Sequence, residues 1–352
     1  MFMKIPVLPV VYGAVLAAFT GYVMLDTFVL PSAVQSDASQ MDLSMFAETT
    51  TETQETAAET QETAAETQPK HGHHGGRHSR HDAEAAEITT ESTEAAESVE
   101  SASGNAGKVT DSEMQYADEN ISVTVTEYYE NDTKIYVADV QLSSAQYLKT
   151  AFAGDTFGKN ITAATSEIAA GHGAILAING DFCGARTTGY VIRNGIVYRD
   201  TGDASTDVLC IYADGHFEIT NAGETTAQAL ADAGVWQAFS FGPALVQDGA
   251  VTVSEGEEVG HAMASNPRTA IGIIDDLHYV LVVSDGRTAE SAGLTLRQLA
   301  EFMQGLGVTT AYNLDGGGSS TMYWNGQVIN NPTTSGRSVK ERSVSDIVYI
   351  GG

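Results

Sequence analysis

From Ile121 to the C-terminus, the sequence consists mainly of short apolar runs that are rich in β-branched residues and separated by turn residues. "ISVTVTEYY" and "KIYVADVQL" alternate polar and apolar residues around the turn "ENDT", and "YVIRNGIVYRD" surrounds an Asn-Gly pair. Both patterns predict β-hairpins. "AILAING" is apolar throughout, as expected of a strand that is buried on both faces.

Helical patterns are fewer. Residues 296–306 place apolar side chains at helical spacing, Thr295 and Gln298 fit a capping box, and Gly307 follows the last turn. Residues 162–170 and 225–233 show a less complete helical pattern. Because strands dominate and do not alternate regularly with helices, residues 121–352 are predicted to form one α+β domain with mixed, largely antiparallel β-sheets and a few flanking helices.

The N-terminal segment has a different character. Residues 5–25 carry no charge over about 21 residues, which is enough for a helix to cross a bilayer. Lys4 precedes the segment and favours a cytoplasmic N-terminus. Residues 1–33 are therefore predicted to be a transmembrane signal-anchor, with the protein crossing the cell membrane once and the domain of residues 121–352 outside the cytoplasm. A cleaved signal peptide is the alternative.

Residues 34–120 are predicted to be a disordered acidic stalk. "TETQETAAETQETAAETQ" repeats a seven-residue unit of Thr, Glu, Ala and Gln, and large apolar residues are almost absent. Such a segment cannot bury enough apolar surface to offset the entropy of ordering. The tract "HGHHGGRHSRH" holds five of the nine histidines. It is either a loose metal-binding site or, as its disordered context favours, a polar part of the linker.

Charge and cysteine content narrow the classes of function. Asp and Glu number 46 against 17 Lys and Arg, for a formal charge of −29. Nucleic acid is therefore not an expected partner, since binding phosphate backbones requires clustered Lys and Arg. The two cysteines, Cys183 and Cys210, permit a disulfide outside the cytoplasm, or they are two small buried side chains.

Polar clusters follow or precede five of the predicted strands. They are "AINGDFCGAR", "SNPRTAIG", "LVVSDGRTAE", "YNLDGGGSST" and "VKERSVSDIVYI". Any one of them can be explained as a turn or a solvated loop. Five clusters with the same mixture of Asp, Arg, Asn and Gly instead indicate a functional cleft, because strand ends are rigid supports from which side chains can converge.

The residue types in these clusters are suited to phosphate. Three consecutive glycines, Gly316, Gly317 and Gly318, could form a nest of backbone amides around an anion, with hydroxyl donors from Ser319 and Ser320. Arginines can clamp phosphate with two parallel hydrogen bonds, and the predicted clamp consists of Arg268, Arg287 and Arg342. Asp315 could serve as a base, a nucleophile or a metal ligand. A phosphorylated or phosphodiester substrate is therefore predicted.

The motifs "NGDF", "NPRTAIG", "SDGR", "LTLRQLAEFM", "NLDGGGSSTMYWNG" and "ERSVSDIVYI", in this order, resemble the phosphodiester glycosidase family. The resemblance covers roughly residues 121–350 and identifies the chain as a bacterial, membrane-anchored member. It implies hydrolysis of a sugar-1-phosphodiester, such as one of N-acetylglucosamine, between the anomeric carbon and the phosphate oxygen. The expected substrate is a cell-envelope or extracellular polysaccharide.

Carried over motif by motif, the resemblance gathers the predicted arginines, glycines and serines with Asn179 and three carboxylates, Asp181, Asp285 and Asp315. Asp315 or Asp181 would attack the sugar or activate water, and Asp285 would orient the sugar or a partner. Cys183 departs from the family pattern, since an aromatic residue is expected directly after "NGDF". The resemblance therefore does not determine which residues form the pocket wall on that side.

Two further questions stay open in the sequence. No cofactor is predicted with certainty, although Asp-rich strand ends could hold Ca²⁺ or Mg²⁺. The alternative function is a non-catalytic surface module that binds anionic glycans with the same arginines. The carboxylates argue against that module, because nearby negative charge weakens anion binding.

Overall fold

The computed structural model describes residues 7–33, 108–110, 114–202, 204–259 and 265–351. Most of the predicted stalk, including the Thr/Glu repeat and the histidine-rich tract, lies outside the described residues. Nothing in the structure therefore tests the domain boundaries predicted at residues 33 and 120.

The described strands of the first half of the chain are β1 (Ser32–Ala33), β2 (Lys108–Thr110), β3 (Gln115–Ala117), β4 (Ile121–Glu130), β5 (Thr133–Leu142), β6 (Leu148–Phe152), β7 (Gly158–Lys159), β8 (Ala174–Asn179), β9 (Gly189–Arg193), β10 (Ile196–Thr201) and β11 (Asp207–Tyr212). The later strands are β12 (Phe217–Asn221), β13 (Val235–Phe239), β14 (Ala244–Gln247), β15 (Ala250–Val251), β16 (Arg268–Asp275), β17 (His278–Ser284), β18 (Thr310–Asn313), β19 (Met322–Trp324), β20 (Gln327–Val328) and β21 (Asp346–Gly351). The described helices are α1 (Val7–Phe28), α2 (Thr165–Gly171), α3 (Ala227–Asp232) and α4 (Leu296–Gly305).

Helix α1 overlaps the segment that the sequence predicts to span a membrane. Within the described residues, however, no helix combines the length and the apolar character that crossing a bilayer requires. The transmembrane helix predicted over residues 5–25 is therefore not supported.

The predicted antiparallel sheets are confirmed. One sheet has nine strands in the order β15-β14-β18-β16-β17-β5-β4-β3-β2, and two have five strands, in the orders β10-β9-β13-β11-β12 and β20-β19-β8-β21-β6. Neighbouring strands run antiparallel, including the short pair β1 and β7.

Local turn chemistry explains both predicted hairpins. In the β4–β5 hairpin, Glu130 pairs with Thr133 across Asn131 and Asp132, whose φ values are 51° and 53°. The β9–β10 hairpin turns at Asn194 and Gly195, which also have positive φ. Two consecutive residues in the left-handed region match the twist of a tight hairpin, and Asn, Asp and Gly tolerate that region best.

A continuous apolar core connects the three large sheets. Its members include Ile271 and Leu281 from the nine-stranded sheet, Leu176 and Val348 from one five-stranded sheet, and Leu209 from the other. The opposite face of the nine-stranded sheet packs against α4 through a second cluster of apolar residues. The sheets are therefore held together by buried apolar surface, which is the main favourable contribution to folding.

The predicted capping box of α4 is present. The Thr295 side-chain hydroxyl accepts from the backbone N–H of Gln298, and the Gln298 side-chain oxygen accepts from the backbone N–H of Thr295. Gly307 follows the helix with a φ of 86°. The cap satisfies two backbone donors that have no partner within the helix, which explains why the helix begins at Leu296.

Strand register brings the polar clusters to one edge of the fold. Arg268 at the start of β16 pairs with Ser284 at the end of β17, and Asn313 at the end of β18 pairs with Ala270. The Asp315 N–H donates to Gly180 O at 3.2 Å, which connects the nine-stranded sheet to the β8 sheet. The predicted clusters are thus neighbours in space although they are far apart in the sequence.

Both cysteines are buried free thiols. Cys210 packs with the apolar cluster beneath α3, and Cys183 packs with Phe152 and Phe157 in a different cluster. Of the two interpretations, small buried side chains rather than a disulfide describe the structure.

Candidate active site

A cleft of about 210 Å³ opens where these strand ends meet. Its walls combine cationic, acidic, amide and apolar groups. The lining residues are Phe241, Val259, Asn266, Arg268, Arg287, Asn313, Leu314, Asp315, Gly316, Gly317 and Arg342. All three arginines predicted to bind phosphate therefore line the same cleft.

Arg342 contacts the carboxylate on the floor of the cleft. Its Nη2 lies 2.9 Å from Asp315 Oδ2, and its Nε donates to Ser319 Oγ at 2.8 Å. Because 40% of the Arg342 side chain remains exposed, the guanidinium is accessible to a ligand while it holds Asp315.

Arg287 is held by neutral acceptors. Its Nη2 and Nε donate to Asn266 Oδ1 at 2.8 and 3.2 Å, and its Nη1 donates to Thr334 O. Burial lowers the pKa of Arg287, and the nearby charge of Arg342 lowers it further. Among the described residues, no carboxylate forms an ion pair with Arg287.

Arg268 is the most buried of the three arginines in the cleft. Its Nη2 pairs with the Glu258 carboxylate, and its Nε donates to Leu294 O at 2.9 Å. Burial lowers the pKa of Arg268, while Glu258 counteracts that effect. Glu258 already neutralises this arginine, which therefore supports the cleft more than it offers a free charge.

Asp315 is the predicted catalytic carboxylate that lines the cleft. It follows β18 and is 8% exposed. Burial raises the pKa of Asp315, whereas the charge of Arg342 and hydrogen bonds from Ser319 and Arg342 lower it. Desolvation makes the ionised carboxylate more reactive as a base or nucleophile, and the positive charge of Arg342 favours that ionised form.

Asp181 lies in a buried ion cluster outside the cleft lining. Arg193 Nη2 lies 2.9 Å from Asp181 Oδ1 and 2.8 Å from Asp346 Oδ2, and the three side chains are almost fully buried. Burial raises the pKa of Asp346 to about 6, although Arg193 lowers it. Asp181 Oδ2 also accepts from the Ser240 N–H at 3.0 Å. This arrangement gives Asp181 a positioning role and does not favour its predicted catalytic role.

Asp285 is bound to a neighbouring loop instead of facing the cleft. Its Oδ1 accepts from the Asn331 N–H at 2.7 Å and from Asn330 Nδ2 at 3.2 Å, and its Oδ2 accepts from Asn331 Nδ2 at 3.1 Å. Both carboxylate oxygens are thus used to hold the loop. The geometry does not favour direct contact of Asp285 with a sugar.

Asn179, which the sequence predicts to bind substrate, is fully buried and connects three segments. Its Nδ2 donates to Asp315 O at 2.6 Å, and its Oδ1 accepts from Thr269 Oγ1 at 2.8 Å and from the Thr321 N–H at 3.2 Å. Asn179 therefore fixes the backbone of Asp315 from behind the cleft.

The three glycines serve close packing. The Gly317 N–H donates to Pro267 O at 2.8 Å, and the N–H groups of Ser319 and Ser320 bond within the turn itself. The Gly317 amide is therefore already used within the protein and is not free to join the predicted nest for an anion. Gly317 has a φ of 65°, and a Cβ there would lie 3.0 Å from Arg287 Nη2, so glycine lets the guanidinium approach the backbone.

The two predicted serines differ in their contacts. Ser319 Oγ accepts from Arg342, whereas Ser320 Oγ is buried without a hydrogen-bond partner among the described residues. Neither serine contributes to the lining of the cleft, and of the two hydroxyl groups only that of Ser319 supports Arg342 among the described residues.

Several residues of the site are not indicated by the sequence motifs. Phe241 and Asn313 line the cleft, Asn266 holds Arg287, and Arg193 balances the buried carboxylates. Asn313 lies two residues before Asp315 on an extended segment, so side-chain alternation could have indicated that both face the same side. Arg193 lies in a hairpin strand and carries no comparable signal.

One group of potential metal ligands occurs in the described part of the chain, namely Asp181, Cys183 and Asp346. Arg193 already donates to both of these carboxylates. The guanidinium thus occupies the position that a cation would need, and a buried thiol is a poor ligand for Ca²⁺ or Mg²⁺. This cluster does not suit either ion.

Comparisons with known proteins are consistent with this geometry. A family model described as phosphodiester glycosidase matches residues 172–351, just over half of the chain. The chain is 30% identical over 184 residues to the SPbeta prophage-derived uncharacterized protein YomE of Bacillus subtilis (strain 168), a match that covers 50% of this chain and 28% of that protein. It is 28% identical over 176 residues to the N-acetylglucosamine-1-phosphodiester alpha-N-acetylglucosaminidase of Mus musculus, covering 46% of this chain and 34% of the mouse protein.

The chain therefore spans about a third of the length of these relatives. Among solved structures, it resembles the zebrafish N-acetylglucosamine-1-phosphodiester alpha-N-acetylglucosaminidase catalytic domain auto-inhibited by pro-peptide. The TM-score is 0.53 at 18% sequence identity, and the match covers 71% of this chain and 87% of that chain. At this identity the likeness shows a shared fold.

Proposed function

Because the chain belongs to the phosphodiester glycosidase family, we propose that it hydrolyses a sugar-1-phosphodiester at the bond between the anomeric carbon and the phosphate oxygen. One observation carries the proposal. A single cleft presents a buried carboxylate, Asp315, beside two partly accessible arginines, Arg287 and Arg342. A phosphodiester has the complementary charge, and its sugar carbon is the centre that a carboxylate or an activated water can attack.

Arg287 and Arg342 are the proposed phosphate contacts. Arg287 has only neutral acceptors among the described residues, so a negatively charged oxygen of the ligand would form an ion pair with it. As the glycosidic bond breaks, the departing phosphate gains charge. Fixed guanidinium groups near that charge stabilise the transition state more than the ground state.

Asp315 is the proposed reacting carboxylate. It either attacks the anomeric carbon or removes a proton from the water that does so. A phosphate leaves without protonation by a general acid, so one carboxylate in the cleft suffices. Arg342 maintains Asp315 in its ionised form, and Asn179 fixes its backbone.

The proposed substrate is an α-N-acetylglucosamine-1-phosphodiester on a cell-envelope or extracellular polysaccharide. Support for the sugar comes from the named activity of the mouse and zebrafish relatives. Support for a location outside the cytoplasm comes from the uncharged N-terminal segment and the long polar stretch after it. Protease treatment of intact host cells tests the location, and protection of residues 121–352 would contradict it.

The decisive experiment uses the full-length protein with an α-N-acetylglucosamine-1-phosphodiester in ¹⁸O-labelled water, with Asp315→Asn in parallel. Label in the released sugar, absent with the variant, supports cleavage at carbon and the role of Asp315. Label in the phosphate would assign the chain as a phosphodiesterase. Binding of several sugar phosphodiesters without turnover would favour the non-catalytic glycan-binding module.

A further inference from the structure

The side chain of Asn313 leaves one buried acceptor unused. Asn313 lines the cleft and is 1% exposed, and its Oδ1 has no hydrogen-bond partner within the described structure. Leaving a buried carbonyl oxygen without a hydrogen bond is unfavourable, so native proteins retain very few such groups without a reason.

The orientation of this amide is determined by its other end. Asn313 Nδ2 donates to Gly242 O at 2.8 Å, and the Asn313 N–H donates to Pro243 O at 3.2 Å. Rotating the amide by 180° would place Oδ1 against the Gly242 carbonyl oxygen, which repels it. The free acceptor is therefore a fixed property of the site.

The same segment carries an aromatic ring into the cleft. Phe241 precedes Gly242, and its N–H donates to Tyr312 Oη at 3.0 Å. The Arg186 guanidinium lies 4.7 Å from the centre of the Phe241 ring, and Arg186 Nη1 donates to Ser240 O at 2.7 Å. The ring is thus held in place by a side chain from a different loop, which suits a preformed binding surface.

The lining of the cleft combines charged and uncharged groups. Arg287 and Arg342 contribute positive charge, whereas Phe241 contributes apolar surface and Asn313 a neutral acceptor. Asp315 follows Asn313 by two residues. A ligand that has both a negatively charged group and an uncharged, partly apolar part, as a sugar phosphodiester has, matches this lining.

From these contacts, and resting on the proposed hydrolysis of sugar phosphodiesters, we propose that Asn313 and Phe241 form the subsite for the sugar. Asn313 Oδ1 accepts a hydrogen bond from one hydroxyl or amide N–H of the sugar, and the Phe241 ring packs against its C–H groups. Asn313 is then the residue that makes the enzyme require a donor at one particular position of the sugar.

The test is a cycle that removes each partner of this hydrogen bond separately. The full-length protein and Asn313→Leu are assayed for kcat/KM with α-N-acetylglucosamine-1-phosphodiester, with the analogue bearing hydrogen in place of the acetamido group, and with the 3-, 4- and 6-deoxy analogues. For the unmodified protein, one analogue is expected to lose on the order of 10²-fold or more, since a site built to accept a hydrogen bond rejects a ligand that lacks the donor.

In Asn313→Leu, that discrimination should fall to within a few-fold of unity, while the discrimination at the other positions persists. Asn313→Leu also removes the hydrogen bond to Gly242 O, but that loss would slow the substrate and its analogues equally. The ratio of kcat/KM between substrate and analogue therefore reports only the loss of the Asn313 Oδ1 acceptor. Gln237→Leu is the matched control, because it removes another buried amide, one that donates to Leu148 O away from the cleft. It should retain the wild-type ratios. Phe241→Ala should weaken all of the analogues together.

The same cycle is repeated as calorimetric binding of α-N-acetylglucosamine-1-phosphate and its analogues. Hydrolysis with unchanged ratios in Asn313→Leu would overturn the subsite while the proposed function stands. Binding ratios that collapse in Asn313→Leu without any hydrolysis would keep the subsite and remove the proposed function. Absence of both binding and hydrolysis would overturn both.

Discussion

Asp315, Asp181 and Asp285 are chemically identical, and only their neighbours distinguish them. Asp315 has one arginine partner and lines the cleft, Asp181 shares a buried arginine with Asp346, and Asp285 is saturated by amide donors. A carboxylate whose oxygens are already committed to backbone and amide groups has little capacity to act on a substrate. These contacts favour Asp315 over Asp181 and Asp285 as the proposed reacting carboxylate.

Replacing each carboxylate by its amide tests this selection. Asp315→Asn is expected to lower kcat by roughly 10²- to 10⁴-fold, because the reacting base or nucleophile is lost. Its thermal unfolding midpoint should change little. Asp285→Asn should instead lose about 1–3 kcal/mol of stability, since an amide would face the Asn331 donors. An Asp285→Asn protein that is fully stable yet inactive would contradict this assignment.

The pH dependence of activity depends on Arg342. Burial raises the pKa of Asp315 and Arg342 lowers it, so kcat/KM should decline as the pH falls through the resulting pKa. Arg342→Gln removes the lowering charge and should move the acid limb of the kcat/KM profile upward by about 1 pH unit or more. Arg342→Lys keeps the charge and is the control. Coincident acid limbs in all three proteins would show that Asp315 is not the titrating group.

At the scale of secondary-structure elements, the buried ion cluster connects two sheets. Arg193 ends β9 in one five-stranded sheet, while Asp346 begins β21 in the other. The Phe239 ring lies 4.2 Å from the Arg193 guanidinium and closes the cluster. Two buried carboxylates thus depend on one arginine for their neutralisation.

Arg193→Met should cost about 3–5 kcal/mol in the free energy of unfolding, because it leaves buried charges unpaired. Arg297→Met is the matched control, since Arg297 forms an exposed pair with Glu301 on α4 and should change stability by less than about 1 kcal/mol. The Arg193→Met deficit should shrink as the pH falls, because protonation removes the unpaired charges. Equal deficits at acidic and neutral pH in urea unfolding would argue against the electrostatic explanation.

The turn after β18 gives a second element-scale prediction. Gly317→Ala places a Cβ near Arg287 and forces alanine into positive φ, at a cost of roughly 1–2 kcal/mol. Displacing Arg287 should raise KM for a phosphodiester more than it lowers kcat. Gly305→Ala in α4 has open space around its Cβ and should leave both constants unchanged. An unchanged KM in Gly317→Ala would separate this turn from phosphate binding.

For the whole molecule, the positive cleft lies on a strongly acidic protein. The formal charge of −29 repels an anionic substrate at long range, whereas Arg287 and Arg342 attract it only within the cleft. Salt screens interactions between exposed charges beyond about 10 Å at 0.1 M and affects partly buried pairs less.

Raising NaCl from about 10 mM to about 100 mM should therefore increase kcat/KM for an anionic phosphodiester a few-fold, by screening the long-range repulsion. A sucrose series of equal osmolality is the control for effects of solute that do not involve charge. A steady decrease in kcat/KM from the lowest salt concentration would contradict this prediction. It would mean that attraction by the arginines of the cleft outweighs the long-range repulsion by the acidic protein.

Much of the architecture is predictable because it rests on local chemistry. Alternating β-branched runs and Asn-Gly or Asn-Asp turns determine the β4–β5 and β9–β10 hairpins, and the Thr295–Gln298 capping box determines the start of α4. The ordered motifs from "NGDF" to "ERSVSDIVYI" resemble the phosphodiester glycosidase family, and the family model that matches residues 172–351 confirms that membership. These features depend on residues that are close in the sequence.

The roles within the site depend on residues that are far apart. Arg193 is 12 positions from Asp181 and 153 from Asp346, and Asn179 reaches the Asp315 carbonyl across 136 positions. Motif order indicates which residues belong to the region of the cleft. Only the tertiary structure decides which of them face it, because the packing of three sheets pairs Asp181 with Arg193, binds Asp285 to Asn330 and Asn331, and places Asp315 in the cleft beside Arg342.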